Sequence, residues 1–411
     1  MKRILALCIA LALAAPLVFS ANIQIGGRAI GVAQVIGNSE KGVGTSGKDP
    51  WTRWTDDLRL DFTLNNDTGT AGAAFRLTGS VWDQPPSWWT STSQPYYFGV
   101  NWFQAWWQPI KQIYFSVGKI EETRRYNPEP LKLSWSIINT DSWDMKAIQF
   151  APWDPYQGIG PVNDNIYIDL KATGDKIGMQ FSYVPTDDLN VTFVWSGFDY
   201  NQTFTATALP AKQVLLDELS ASVSYTTPIG GQATLTFANA AEGGTRRFGF
   251  MYTQQITNPL YAEITALLPF PNDNGSFGKM QFVGGGLGLG YQFSDKFNLN
   301  ARAAGEFGLT QAIYNASGTL LSGHATKIGF DLVPTYKIDW SLVIYLPVGY
   351  ARDVAAKLNG WSFCPYFMKD TGWVTFYGGF KIWGDNSTDF KKSNGDPSVS
   401  WAVPVGLMLN F

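Results

Sequence analysis

From Asp57 to Leu64 the chain alternates strictly: Leu58, Leu60, Phe62 and Leu64 are apolar, and Asp57, Arg59, Asp61 and Thr63 are polar. Ala71, Ala73, Phe75, Leu77, Gly79 and Val81 alternate with Arg76, Thr78 and Ser80. Phe297, Leu299, Ala301, Ala303, Phe307 and Leu309 alternate in the same way with Asn298, Asn300, Arg302 and Glu306. A period of two sends successive side chains to opposite faces, so each stretch predicts a β-strand with one apolar and one wet face. Strands of a soluble sandwich alternate as well, but they are nearer about five or six residues long. Repeated stretches of about ten residues fit strands that cross a bilayer. The expected fold class is all-β: a transmembrane antiparallel barrel.

The connections add an asymmetry. Short turns are expected at Asn65–Gly69, Gln108–Lys111, Pro228–Gly231, Thr257–Pro259, Ser294–Lys296 and Asp370–Gly372. Between them lie long polar or Trp-rich segments, at 37–53, 83–96, 121–163, 200–216, 269–279, 310–326, 351–360 and 384–398. Short turns at one rim and long loops at the other is the outer-membrane arrangement. Five strands are expected before residue 121, at about 22–36, 54–65, 70–82, 97–108 and 112–120, and eleven after residue 216. In between, 164–172, 176–184 and 191–199 all qualify, whereas an even total needs two or four of them. The reading is about 18 strands, with about 16 to 20 open.

Composition removes several alternatives. Charged residues make up only 15% of the 411 positions, and aromatics also 15%; an average soluble domain carries about 25% charge. Mean hydropathy is nevertheless −0.08. Such a chain is not disordered. Its pI of 5.3 offers no general basic surface, so no nucleic-acid partner is expected. Lys2 and Arg3 precede the apolar stretch Ile4–Ala15, with small residues at Ser20 and Ala21. Residues 1–20 therefore read as a secretory signal peptide and 21–411 as one barrel domain in the outer membrane. Cys364 is the one cysteine beyond residue 20, so no internal disulfide is expected.

Val399, Trp401, Val403, Val405, Leu407, Leu409 and Phe411 form one face of the last expected strand, and Pro404 on the other face removes one ladder donor. A chain ending this way resembles the assembly signal of bacterial outer-membrane barrels, carried here by Trp401, Leu409 and Phe411. The stretch Phe103–Lys119, ending in Gly118-Lys119, resembles the part of bacterial porins where the fourth strand turns tightly into the fifth. In porins a long third loop follows and folds into the lumen; here the longest connection, 121–163, follows the fifth expected strand. The resemblance implies a channel for passive diffusion of small hydrophilic solutes, an outer-membrane lipid environment, delivery by the barrel-assembly machinery and a homotrimer.

Catalytic chemistry has little material. His324 stands in a Gly/Ser/Thr loop as the sole histidine, so neither metal binding nor histidine acid–base work is expected, and no cofactor either. Gly284 to Gly290 does not match a nucleotide-binding glycine pattern, and reads instead as a strand whose lumen face is bare backbone. Adjacent carboxylates such as Asp187/Asp188 point to opposite faces of a strand. Not an enzyme is the reading; a secreted β-rich carbohydrate-active enzyme or adhesin is the rival class.

Parity turns Arg28, Arg59 and Arg76 to the lumen from three consecutive strands, a candidate basic patch. Glu121, Glu122, Glu129, Asp141 and Asp144 in the third loop are candidate acids facing it. The alternative, that Asp57 and Asp61 pair with Arg59 and Arg76 and cancel the patch, stands equally. Trp102, Trp106, Trp107, Trp373 and Trp401 fit interfacial girdles. Trp88, Trp89 and Trp143 lie in long loops, where they either pack loop on loop or stack on sugars. The second option would make the chain a sugar-selective channel, a weaker resemblance to maltoporin.

Overall fold

The computed structural model describes residues 22–38, 42–46, 57–80, 97–119, 176–199, 219–238, 245–273, 276–277, 279–280, 282–311, 313–314, 320–323, 326–354, 357–385 and 399–410. Almost everything in these segments is strand, and 23 strands join in one antiparallel sheet. We number the legs of that sheet in chain order. Legs 1 to 5 are Asn22–Asn38, Asp57–Asn65, Ala71–Ser80, Tyr97–Ile110 and Ile113–Lys119. Legs 6 to 10 are Lys176–Thr186, Leu189–Asp199, Leu219–Thr226, Gln232–Ala238 and Thr245–Thr257. Legs 11 to 14 are Leu260–Asp273, Phe282–Gln292, Phe297–Gly308 and Lys327–Lys337. Three further legs are each split in two: Leu342–Tyr345 with Val348–Asp353 (15), Leu358–Phe363 with Tyr366–Asp370 (16), and Val374–Gly379 with Lys381–Asp385 (17). Ser400–Asn410 is leg 18. Two short strands, Gly42–Ser46 and Ser276–Phe277, extend the edges along legs 1 and 11.

Each leg pairs with its sequence neighbours, and leg 18 pairs with leg 1 from Arg28↔Asn410 to Asn38↔Ser400. The sheet therefore closes on itself, which disposes of the unpaired edges that an open sheet of this size would expose. Eight connections of two to five residues join legs 2–3, 4–5, 6–7, 8–9, 10–11, 12–13, 14–15 and 16–17. Antiparallel alternation puts all eight at one rim. The segments 81–96, 120–175, 200–218 and 386–398 of the opposite connections lie outside the described residues, as does the candidate strand 164–172.

Turn chemistry explains why these connections are short. Gly230 and Gly372 take φ of 80° and 92°, a region hostile to a Cβ. The Asp339 carboxylate accepts from the N–H groups of Ser341 (2.7 Å) and Leu342 (2.8 Å), closing the turn between legs 14 and 15. Asp370 does the same for the Gly372 N–H at 2.7 Å.

Burial is inverted relative to a soluble domain. Among the described residues the buried set holds 22 polar or charged residues and ten hydrophobic ones, while 46 large hydrophobics are exposed. In a closed sheet the buried face is the inside. The chain thus turns its polar parity inward and its apolar parity out, the opposite of burial driven by water. Neighbouring legs approach closely where glycine faces an aromatic ring. Gly37 lies under Trp401, Gly72 under Trp106 and Gly406 under Tyr377, and a Cβ at any of them would strike the ring.

Candidate functional site: the polar inner wall

Legs 4 to 9 carry a lattice of neutral groups on the inner wall. Gln104 donates to Ser116 at 2.7 Å, Ser116 to Gln180 at 3.3 Å, and Gln180 to Ser182 at 3.0 Å. Ser182 and Thr192 share a bond of 2.8 Å, and Ser224 and Thr234 one of 3.0 Å. These partners lie at every second position of neighbouring legs, so strand periodicity puts them on one face and the register between legs brings them together. Every bond here is neutral. These bonds make this part of the wall hydrophilic.

Charges gather elsewhere. On legs 2 and 3 Asp61 and Arg76 are direct register partners. The Arg76 guanidinium donates two roughly parallel bonds, Nε to Oδ1 at 2.7 Å and Nη2 to Oδ2 at 3.2 Å. Arg59 points into the same wall and is only 7% exposed. Arg28 occupies the register position opposite Arg59, so legs 1 and 2 bring two arginines side by side. The pairing considered for Arg76 thus exists. Within this arc the bonds from Asp61 offset the charge of Arg76.

A second charged arc follows on legs 11 to 14. Glu263, at 2% exposure, is in register with Gly288, and Gly288 with Arg302. Leu267, Gly284, Glu306 and Lys327 form a parallel row. Gly284, Gly286, Gly288 and Gly290 all take the inner parity of leg 12, so only bare backbone of that leg stands between Glu263 and Arg302, while Glu306 and Lys327 are direct register partners. Glu263, and Lys381 at 2% exposure on leg 17, were not singled out from the sequence. Their signal was present in parity, because each is a charged residue on the polar face of its strand.

Other expected site residues separate by location. Trp88, Trp89, Trp143, Glu121, Glu122, Glu129, Asp141, Asp144 and Phe411 lie outside the described residues. Trp401 stands on the outer face over Gly37, and Leu409 is exposed on the same face. Trp106 and Trp107 do not both join a girdle: adjacent residues on a strand diverge, so Trp107 is exposed outside while Trp106 covers inward-facing Gly72. At the short-turn rim Trp340 and Trp373 are 86% and 73% exposed, where indole suits a membrane–water boundary.

Ionic contacts outside the membrane-spanning stretches tie that rim. Lys111 donates to Asp187 at 2.8 Å, linking two neighbouring turns. This bond and the accompanying attraction raise the lysine pKa and lower that of the carboxylate. Asp339 is held down to about 2, first by the N–H and hydroxyl of Ser341.

A closed sheet that is apolar outside and polar inside is a barrel whose solvent is lipid. Solved structures agree. The outer-membrane protein opdK of Pseudomonas aeruginosa superposes at a TM-score of 0.54, with 10% identity, over 94% of this chain and 99% of its own. OccK10 (OpdN) of the same organism does so at 0.51, with 10% identity and the same coverage. The chain folds as an outer-membrane porin barrel. Pseudomonas aeruginosa OpdK with vanillate superposes at 0.54 and 10% identity over 94% of this chain and 99% of that one. No protein-family model matches this porin barrel, and no curated protein matches its sequence.

Proposed function

We propose that the chain is an outer-membrane porin, a water-filled channel through which small hydrophilic solutes diffuse passively, with no chemical step. The inverted burial carries this reading. A wall that buries serine, threonine, glutamine, arginine and glutamate and exposes valine, leucine and phenylalanine is stable only between lipid and a polar lumen. Selectivity then comes from lumen width and lumen charge.

In this reading the eighteen traced legs are the complete wall, residues 21–411 are one domain, and residues 1–20 are removed on export. The connection 121–163 narrows the lumen, and its acids Glu121, Glu122, Glu129, Asp141 and Asp144 face Arg28 and Arg59. Arg76 contributes less, because Asp61 offsets its charge. The barrel-assembly machinery receives the chain through Trp401, Leu409 and Phe411, and three copies associate. Purified protein added to a planar bilayer should give discrete conductance steps, with a reversal potential set by lumen charge. Detergent-soluble, heat-modifiable protein that yields no steps would overturn the reading. So would protein that is soluble without detergent.

A further inference from the structure

Proline interrupts the sheet at Pro334 on leg 14, Pro347 on leg 15, Pro365 on leg 16 and Pro404 on leg 18. Far apart in sequence, the four fall on one line across the wall. Leg 15 breaks at 346–347, leg 16 at 364–365 and leg 17 at Phe380. The pairings on either side of each break keep one register. Thr335↔Tyr345 and Leu332↔Val348 flank the first, Tyr345↔Tyr366 and Val348↔Phe363 the second, and Tyr366↔Gly379 and Phe363↔Ile382 the third. No residue is inserted, so these are not bulges.

What is missing is one hydrogen bond per rung. The Leu346 N–H donates to the Pro334 carbonyl, the Cys364 N–H to that of Pro347 and the Phe380 N–H to that of Pro365, each at 2.9 Å. An antiparallel rung of this kind normally returns a second bond, and proline has no N–H with which to return it. Three consecutive seams, 14/15, 15/16 and 16/17, are thus weakened at one height. Pro404 extends the line, since Gly378↔Val405 and Lys381↔Ala402 bracket it against leg 17.

The wall on the turn side of this line is braced. Tyr345 and Tyr366 stack with centroids 4.7 Å apart and planes at 13°, packed against Val343, Met368 and Tyr377. Below them the Lys369 ammonium donates to the Ser341 hydroxyl at 2.5 Å and reaches Asp339 at 3.5 Å, tying leg 16 to the turn between legs 14 and 15. In hydrocarbon no water replaces a ladder bond, so complete rungs resist bending and a line of incomplete ones is where bending costs least.

We propose that this proline line is a hinge. The halves of legs 15 to 17 beyond it, Val348–Asp353, Leu358–Phe363 and Lys381–Asp385, swing as a panel against the braced turn-side block, and the swing opens and closes the channel. The gating step rests on the channel reading; the hinge does not.

Hydrogen exchange of the full chain in detergent micelles tests the hinge without any substitution. The amides of Leu346, Cys364 and Phe380 should exchange about fivefold faster than Ile344 and Val348, Ser362 and Tyr366, and Gly378 and Ile382, on the scale of one missing hydrogen bond. Equal protection across each trio would overturn the hinge. The variant Pro347→Ala/Pro365→Val restores two donors, and should regain protection and close about threefold less often in single-channel records, at unchanged open conductance. Restored protection with unaltered closing frequency would overturn the gating role. Fast exchange in a wild type that conducts nothing would sink the channel reading and leave the hinge standing.

Discussion

Replacing Asp61 by Asn removes the carboxylate that is paired with the lumen arginine Arg76. Arg76 and Asp61 are 23% and 39% exposed and bonded at 2.7 and 3.2 Å, so together they present almost no net charge to a passing ion. The variant keeps the size of residue 61 and leaves Arg76 with its full charge. On an ion passing about 8 Å away, a unit charge acts with about 0.5 kcal/mol in water and about 0.2 kcal/mol after screening over one Debye length. The effect favours anions and opposes cations by like amounts, so the anion-to-cation permeability ratio should rise about two- to fivefold. Reversal potential under a salt gradient in a planar bilayer reads this directly, with larger shifts at lower ionic strength. Arg76→Gln should move the ratio the other way, and the double variant should return near the wild type. A reversal potential unchanged by Asp61→Asn, in channels of normal conductance, would show that the ion path runs well beyond a Debye length from this pair.

Replacing Arg28, Arg59 and Arg76 together by Ser should widen the channel and shift selectivity toward cations; an unmoved reversal potential would place the arginines away from the constriction. Asp339, whose pKa is lowered from 3.8 to about 2, stabilises its turn above about pH 4 and loses that contribution as pH falls through about 2. Asp339→Asn should therefore lower the temperature at which the barrel unfolds in SDS at neutral pH and flatten its acid dependence. Deleting Phe411 should leave the mature chain in the periplasm, and normal outer-membrane levels on fractionation would refute its part in assembly. Trp88, Trp89 and Trp143 replaced by Ala should weaken any oligosaccharide block of ion current at nearly unchanged open conductance; a wild type that no oligosaccharide blocks at millimolar levels would dismiss the sugar track.

Much of the wall was legible residue by residue. Alternation at Asp57–Leu64 and Phe297–Leu309 placed strands within a few residues of legs 2 and 13, because side-chain parity is a local property of extended backbone. Turn chemistry was equally local: the expected turns Asn65–Gly69, Pro228–Gly231 and Asp370–Gly372 overlap the observed connections 66–70, 227–231 and 371–373. The bare inner face of leg 12 followed from Gly284, Gly286, Gly288 and Gly290 by the same counting. Parity also turned Arg59 inward, but not toward any particular partner.

Partners depend on register between legs, and register is not local. Asp61 meets Arg76, and Arg28 meets Arg59, only once neighbouring strands are aligned, since a shift of one residue would exchange the inner and outer faces. Closure is more remote still: leg 18 reaches leg 1 across almost the whole chain, and no window of sequence contains both. The prolines show the difference most plainly. In sequence Pro404 is a single lost donor in a final strand. Aligned with Pro334, Pro347 and Pro365, it becomes the end of one line, because hydrogen bonds between strands add their losses across the sheet and not along the chain.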